Sequence, residues 1–422
     1  MRVTIIALGS RGDIQPYLAL GLGLKGAGHE ARMVTTVDHK ELVTSYGLEV
    51  WPVELDVKAA LNRDKTSASI EGGGLVSSFR EFADIAKKGA ELSARVGLEA
   101  AQGTDAVLAG FGGVFIGEAI ANKLGITLVQ AYNVPLSTTG AYGGALFPGL
   151  SWGPWSRRLS HRLTREAIWM LMRSSGNPAR MKIFGTPAAS LFAPANIPGL
   201  VPGKVLYGYS PAILPDMPEW KDSVEVTGYW FADEPTNWTP PEGLEAFLAA
   251  GPKPVCIGFG SMTQTDPEKV TRLVVDAVAR SGQRAILLSG WGNLTANQRP
   301  DTIFQLDNVP HSWLYPRMRA IVHHGGAGTT AAAFRAGVPA IVVPFHGDQF
   351  YWAKLVEDLG VGPKGIPRTK LTVERLAKAL DRAANDSAMA QRAAALGVRI
   401  RSEHGVARAI EAIERLVKAR TK

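Results

Sequence analysis

Cysteine is nearly missing from this chain. Cys256 is the only one in 422 residues, so no intrachain disulfide can form and the cross-linked framework of a small secreted domain is excluded. Its place in an apolar run reads as a packed, inert thiol rather than a reactive one. Long apolar runs are missing too, for none approaches the roughly 18 residues that a bilayer-spanning helix needs. The first residues enter a strand pattern at once, without the apolar core or cleavage site of a secretory leader, and the expectation is a cytoplasmic protein. Charge of one sign is in small excess, 46 Lys and Arg against 38 Asp and Glu, a net charge of +8. The basic residues are scattered and no nucleic-acid-binding motif accompanies them, so nucleic acid is not expected as a partner. No Asp-x-Asp pair stands at a turn where a divalent metal would be held. The G-x-G-x-x-G spacing of a dinucleotide fold is also absent, and no acidic residue follows at the ribose distance.

What is present is ordinary globular composition, 46% apolar and 20% charged, in a chain too long for one core. Two domains of about 200 residues are the expectation. Runs at 3–8, 30–35, 106–109 and 127–131 read as buried parallel strands, with helices over 14–25 and 117–124 between them. The rhythm returns at 255–259, 285–288, 303–306, 320–322 and 340–343, with helices over 267–280, 329–335 and 373–384. Asp266-Pro267-Glu268 supplies a cap, a first-turn proline and an early carboxylate. The expected fold class is α/β, two Rossmann-like doubly wound parallel-sheet domains facing across a cleft. Eight prolines between 210 and 254 place the domain connection near 208–222, with 224–229 as the first strand of the second domain. The expected divisions are 1–215, 216–400 and a helical tail over 401–422.

The most informative stretch is His323-His324-Gly325-Gly326-Ala327-Gly328-Thr329-Thr330, followed by a strand at 340–344 and then Asp348-Gln349. Glycines and small residues at a helix start let backbone amides approach an anion, and the helix N-terminus adds partial positive charge. Asp348 and Gln349 supply an acceptor and an amide beyond the next strand, suited to a polyol. Phosphate plus polyol reads as a nucleotide sugar. Adjacent histidines on a strand diverge and no third ligand lies at a recognisable spacing, so no metal is expected there. Nearer the start, Gly9-Ser10-Arg11-Gly12-Asp13 follows the first strand and leads into the first helix. By spacing, Asp13 reads either as the helix N-cap or as an acid–base group at the lip of the sheet.

Four blocks stand in order along nearly the whole chain: Gly9 to Pro16, Gly258-Phe259-Gly260-Ser261-Met262, Val309-Pro310-His311-Ser312-Trp313-Leu314, and the 323–349 stretch. On these blocks the sequence resembles the inverting GT-B nucleotide-sugar glycosyltransferases of family 1 type. The nearest branches are the bacterial and fungal sterol 3-beta-glucosyltransferases and the bacterial natural-product glycosyltransferases. Residues 55–100 and 136–220 carry nothing specific to them.

The resemblance implies transfer of a hexose, glucose, from a UDP-sugar to a hydroxyl of a hydrophobic acceptor such as a sterol, terpenoid or polyketide. It implies no cofactor and no metal, and a chain end that crosses back to the first domain. Asp13 takes the general-base place that a histidine holds in the plant members' Gly-His-x-x-Pro pattern. His324 matches the phosphate-binding histidine, with His323 a packed neighbour. Charge on the departing diphosphate would be met by His324, by amides at Gly326, Gly328 and Thr329, and by Ser10 and Ser261. Arg11 and Gly12 belong to the same donor-binding loop. Backbone groups of Val309 or His311 would pair with the pyrimidine, Trp291 would shield it, and Asp348 and Gln349 would hold the sugar. Ala332 stands where the plant members carry a ribose-gripping glutamate, which leaves TDP donors open beside UDP.

Acceptor contacts are expected at Tyr132, Tyr142, Phe147 and Trp169, in a region rich in glycine, proline and aromatics. Residues 155–172 there mix basic and apolar side chains. They read either as a helix lying peripherally on the inner face of a membrane or as a solvated face with its apolar side toward the core. Monomer and homodimer both remain open. Two other readings stand beside the transferase, a nucleotide-sugar epimerase of the same fold and a catalytically silent nucleotide-sugar-binding auxiliary protein. Asp13 together with a complete donor block disfavours both.

Overall fold

The computed structural model describes residues 1–55, 89–194, 197–215, 217–232, 238–260, 267–288, 300–307 and 309–420. The chain forms two compact units that change over between residues 232 and 238, and the segment from Glu403 onward belongs to the first.

The first unit is built on seven strands, β1 (Arg2–Ile6), β2 (Glu30–Thr36), β3 (Glu49–Val53), β4 (Ala106–Ala109), β5 (Thr127–Tyr132), β6 (Lys204–Tyr207) and β7 (Val224–Val226). Their order is β3-β2-β1-β4-β5-β6-β7, and every pair is parallel. Continuous apolar runs such as Ala106–Ala109, buried at all four positions, suit strands covered on both faces. The order reverses between β1 and β4, so the loops leaving these two strands diverge and open a crevice at their carboxyl ends.

The sequence places residues 224–229 at the start of the second domain, and the structure corrects this. Val224–Val226 pairs with β6 in the first sheet, Val205 opposite Val224. The physical reason lies in β6, whose buried backbone groups need a further ladder. Val224 and Val226 bury their side chains in supplying it.

Helix Gly405–Arg420 docks on helix Arg11–Gly26. Gly23 lies so close that a side chain there would run into Val406 and Ile410, and the His29 ring meets Glu414 at 2.8 Å. Ala409, Ile410 and Ile413 share one core with Val3, Ile5 and Leu18.

The second unit has five parallel strands, β8 (Val255–Gly258), β9 (Ala285–Leu288), β10 (Ile303–Leu306), β11 (Ile321–His323) and β12 (Ala340–Val342), in the order β10-β9-β8-β11-β12. Its core includes Ile257, Val274, Leu287, Val322, Ile341 and Leu380. Here the order reverses between β8 and β11. Among the described residues no helix is long and apolar enough to cross a membrane.

Candidate active site

In the first unit the loop after β1 enters the crevice at the switch point. Ser10, not Asp13, is the N-cap of helix Arg11–Gly26, and Asp13 is its third residue. Asp13 reaches back so that Oδ2 accepts from the Ser10 amide and the Ser10 hydroxyl, both at 2.8 Å. Gly9 makes the turn possible. Its φ is +142°, and a Cβ there would lie 2.6 Å from that same Oδ2. His39 supports the turn from the far side, its Nε2 lying 3.2 Å from the Gly9 carbonyl oxygen.

Desolvation raises the Asp13 pKa above the ordinary carboxylate value, and the Ser10 bonds and the nearby His39 oppose it. The residue as a whole presents surface to solvent, so the desolvation arises from the protein packed closely around the carboxylate. A carboxylate fixed by neighbours yet raised in proton affinity has the properties of a general base. Arg11 and Gly12, on the same turn, are exposed.

In the second unit His324 follows β11 at the other switch point. Its ring is wedged between two glycines. A Cβ at Gly260, whose φ is +62°, would lie 2.9 Å from the ring, and one at Gly326 would overlap Nε2. Burial lowers the His324 pKa to about 4, with further lowering by His346 and His311. Its Nδ1 is buried without a hydrogen-bond partner. His323 is fully buried, accepts at Nδ1 from the Gly325 amide at 3.0 Å, and has a pKa lowered by burial to about 3. Both imidazoles are therefore neutral near pH 7.

Gly326 caps helix Ala327–Ala336 without any side-chain hydrogen bond, so the amides of its first turn have no intrahelical acceptor. Gly328 is exposed and Thr329 half-buried, while Thr330 turns inward and donates from Oγ1 to the Gly326 carbonyl at 2.9 Å. This open N-terminus, with a neutral histidine beside it, has the chemistry of an anion cradle. The next loop is braced by Gln349, whose Oε1 accepts from the amides of Phe345 at 2.7 Å and His346 at 3.3 Å. Asp348 accepts from the Trp352 indole at 2.9 Å. Val309 is buried, and His311 stacks on Tyr315 at 4.3 Å between ring centroids.

Ser261 and Trp291 lie outside the described residues. Of the residues expected to meet an acceptor, Tyr132 and Trp169 are buried, and the chain satisfies their polar atoms. Tyr132 donates to Gln130 at 2.7 Å and Trp169 to the Ser190 carbonyl at 2.9 Å. Tyr142 and Phe147 are half-buried. Tyr142 packs edge-on against His161, with ring centroids 5.7 Å apart. Sequence reasoning missed three neighbours of the two loops: His39, Gly260 as a wall for His324, and His346. Gly260 was legible as part of the Gly258-Phe259-Gly260 block. His39 and His346 were not, because only folding brings them beside Gly9 and His324.

Residues 3–128 match the glycosyltransferase family 28 N-terminal domain, and residues 273–413 match the C-terminal domain of erythromycin biosynthesis protein CIII-like proteins. Over 98% of its length the chain is 38% identical to the sterol 3-beta-glucosyltransferase of Neurospora crassa, and over 97% it is 36% identical to that of Candida albicans. It spans 27% of each of those proteins. Among solved structures it superposes on the calicheamicin glycosyltransferase CalG4 with a TM-score of 0.69 at 19% identity, covering 99% of both chains. For SnogD from Streptomyces nogalater the TM-score is 0.68 at 20% identity, covering 99% of this chain and 100% of the other. These structural matches show the fold, the two parallel-sheet units of the GT-B type. Sterol 3-beta-glucosyltransferases are among the proteins to which its sequence is similar.

Proposed function

We propose that the protein is an inverting, metal-independent hexosyltransferase that moves glucose from UDP-glucose to a hydroxyl of a hydrophobic acceptor of the sterol, terpenoid or polyketide kind. The observation that carries the reading is the Asp13 carboxylate, fixed by the Ser10 amide and hydroxyl at the switch point of the first sheet. In this reading Asp13 takes the acceptor hydroxyl proton as that oxygen attacks the anomeric carbon. The bond from that carbon to the diphosphate oxygen breaks, UDP departs, and the configuration inverts.

Support for the donor side comes from the uncapped helix start at Gly326, Gly328 and Thr329 and from the unpartnered Nδ1 of His324. Anionic oxygens would meet these groups as charge develops on the leaving diphosphate. Val309 and His311 would take the pyrimidine, Asp348 and Gln349 the sugar, and Tyr142 and Phe147 the acceptor's apolar body. No cofactor is involved, and a cytoplasmic location belongs with this reading.

The test is a mass-spectrometric assay crossing UDP-glucose and TDP-glucose with sterol, flavonoid and macrolide alcohols. A gain of one hexose that requires Asp13 supports the proposal. Epimerised sugar nucleotide formed without acceptor, or UDP binding without turnover across the whole panel, overturns it.

A further inference from the structure

Of the ten large apolar side chains that stand exposed among the described residues, seven fall between residues 152 and 192. Trp152 is 84% exposed, Trp155 73% and Phe192 69%. Scattered exposed apolar residues need no explanation, but a concentration of this kind marks an interaction surface.

Helix Pro154–Ala179 buries Ser160, His161, Thr164 and Ile168 on its inner side. Trp155, Arg158 and Arg162 follow at three- and seven-residue intervals on the outer side, and Leu163 and Met170 continue the stripe. Residues 189–194 are laid along the same helix by side-chain bonds. Asn177 accepts from the Ala189 amide at 2.9 Å, Glu166 accepts from the Ala193 amide at 3.0 Å, and Arg165 donates to the Pro194 carbonyl at 2.8 Å. Leu191 and Phe192 are therefore held at the helix surface, and both remain exposed.

Charge sorts the candidate partners. Residues 152–192 carry seven Arg and Lys against one acid, Glu166, whose carboxylate is engaged by the Ala193 amide. Arg180 and Lys182 pair with Glu118 and Glu91, and Arg158 and Arg162 stand exposed beside Trp155. Protruding tryptophans next to arginines suit the boundary between lipid headgroups and acyl chains, where the ring is half apolar and half wet. A bilayer also accepts such projections without a shaped counter-surface, which a folded protein partner would have to supply.

We infer that this face docks on an anionic phospholipid bilayer, with Trp152, Trp155, Leu191 and Phe192 entering the boundary region and Arg158 and Arg162 meeting lipid phosphates. The inference stands apart from the reaction proposed above, because docking is read without turnover.

The experiment is sedimentation of the full chain with phosphatidylcholine vesicles and with vesicles that also contain phosphatidylglycerol. Binding to the mixed vesicles, weakened by salt and by neutral composition, is the expected result. An arginine near an anionic surface contributes about fivefold to partitioning, so Arg158→Glu with Arg162→Glu should lower binding by about thirtyfold or more. Trp152→Ser with Trp155→Ser should lower it independently of salt. All four positions are exposed, so an unchanged melting temperature verifies folding. Arg375→Glu with Arg382→Glu, in a separate basic hollow of the second unit, should leave binding intact. The inference is overturned if anionic vesicles do not bind the chain, as for a protein-docking face, or if only the Arg375 and Arg382 pair matters.

Discussion

The carboxylate of Asp13 and the N-cap residue Ser10 are joined twice, because one carboxylate oxygen, Oδ2, accepts from both the amide and the hydroxyl of Ser10 at 2.8 Å. One pair thus starts the helix and fixes the orientation of the proposed base. The other carboxylate oxygen is the one Ser10 does not engage.

Asp13→Asn preserves the shape of the side chain and removes its basicity. Turnover of UDP-glucose with a sterol acceptor is expected to fall by about two to four orders of magnitude, a usual range for a lost general base. The dissociation constant for UDP, measured by calorimetry, should stay unchanged. Undiminished turnover removes Asp13 from the mechanism.

Ser10→Ala tests the proton affinity of the base. Desolvation of the carboxylate raises the Asp13 pKa and the Ser10 hydroxyl lowers it, so deleting the hydroxyl leaves the upward effect less opposed. Asp13 acts deprotonated, so the acid limb of kcat/KM should lie above the ordinary carboxylate value of about 3.9 in the parent and move to higher pH in the variant. A limb that stays in place, or moves down, contradicts the assignment.

Gly326→Ala tests the donor cradle. Gly326 has an ordinary φ of −61°, so backbone strain is not introduced, but the new methyl would overlap His324 Nε2. Displacing the ring is expected to weaken UDP binding about tenfold, or about 1.4 kcal/mol. Calorimetry giving the parent affinity would separate the ring from the donor site.

His323 and His324 should make the fold sensitive to acid. Burial lowers their native pKa values to about 3 and about 4, below the ordinary histidine value of 6.5. Below about pH 6.5 the unfolded chain takes up protons that the native chain refuses, so stability is full above that pH and falls on acidification. Each residue contributes about 1.4 kcal/mol per pH unit, and the decline from each ends below its native pKa. Urea unfolding of His323→Asn between pH 7 and 4 should show a shallower decline than the parent, and an identical decline would contradict it.

Most strands were legible because both faces are covered and their apolar runs are continuous, as in Ala106–Ala109 and Ala285–Leu288. The first-sheet strand Glu49–Val53 was not, because it carries Pro52 and half-exposed positions and shows no periodic signal. Val224–Val226 was legible as a strand, but three residues do not say which sheet they join. Helix Gln349–Asp358 hid behind Asp348-Gln349 being read as sugar contacts alone. In the structure Asp348 is its N-cap and Gln349 braces the preceding loop.

The sequence by itself determined the two runs of parallel strands and the residues at both switch-point loops, because strand burial and glycine-rich turns are written locally. Only tertiary structure decided that Val224–Val226 completes the first sheet, that helix Gly405–Arg420 packs on helix Arg11–Gly26, and that His39 and His346 stand beside Gly9 and His324. Those outcomes depend on partners distant in sequence, and no local pattern encodes which buried surface or unpaired backbone group a segment will find when the chain closes.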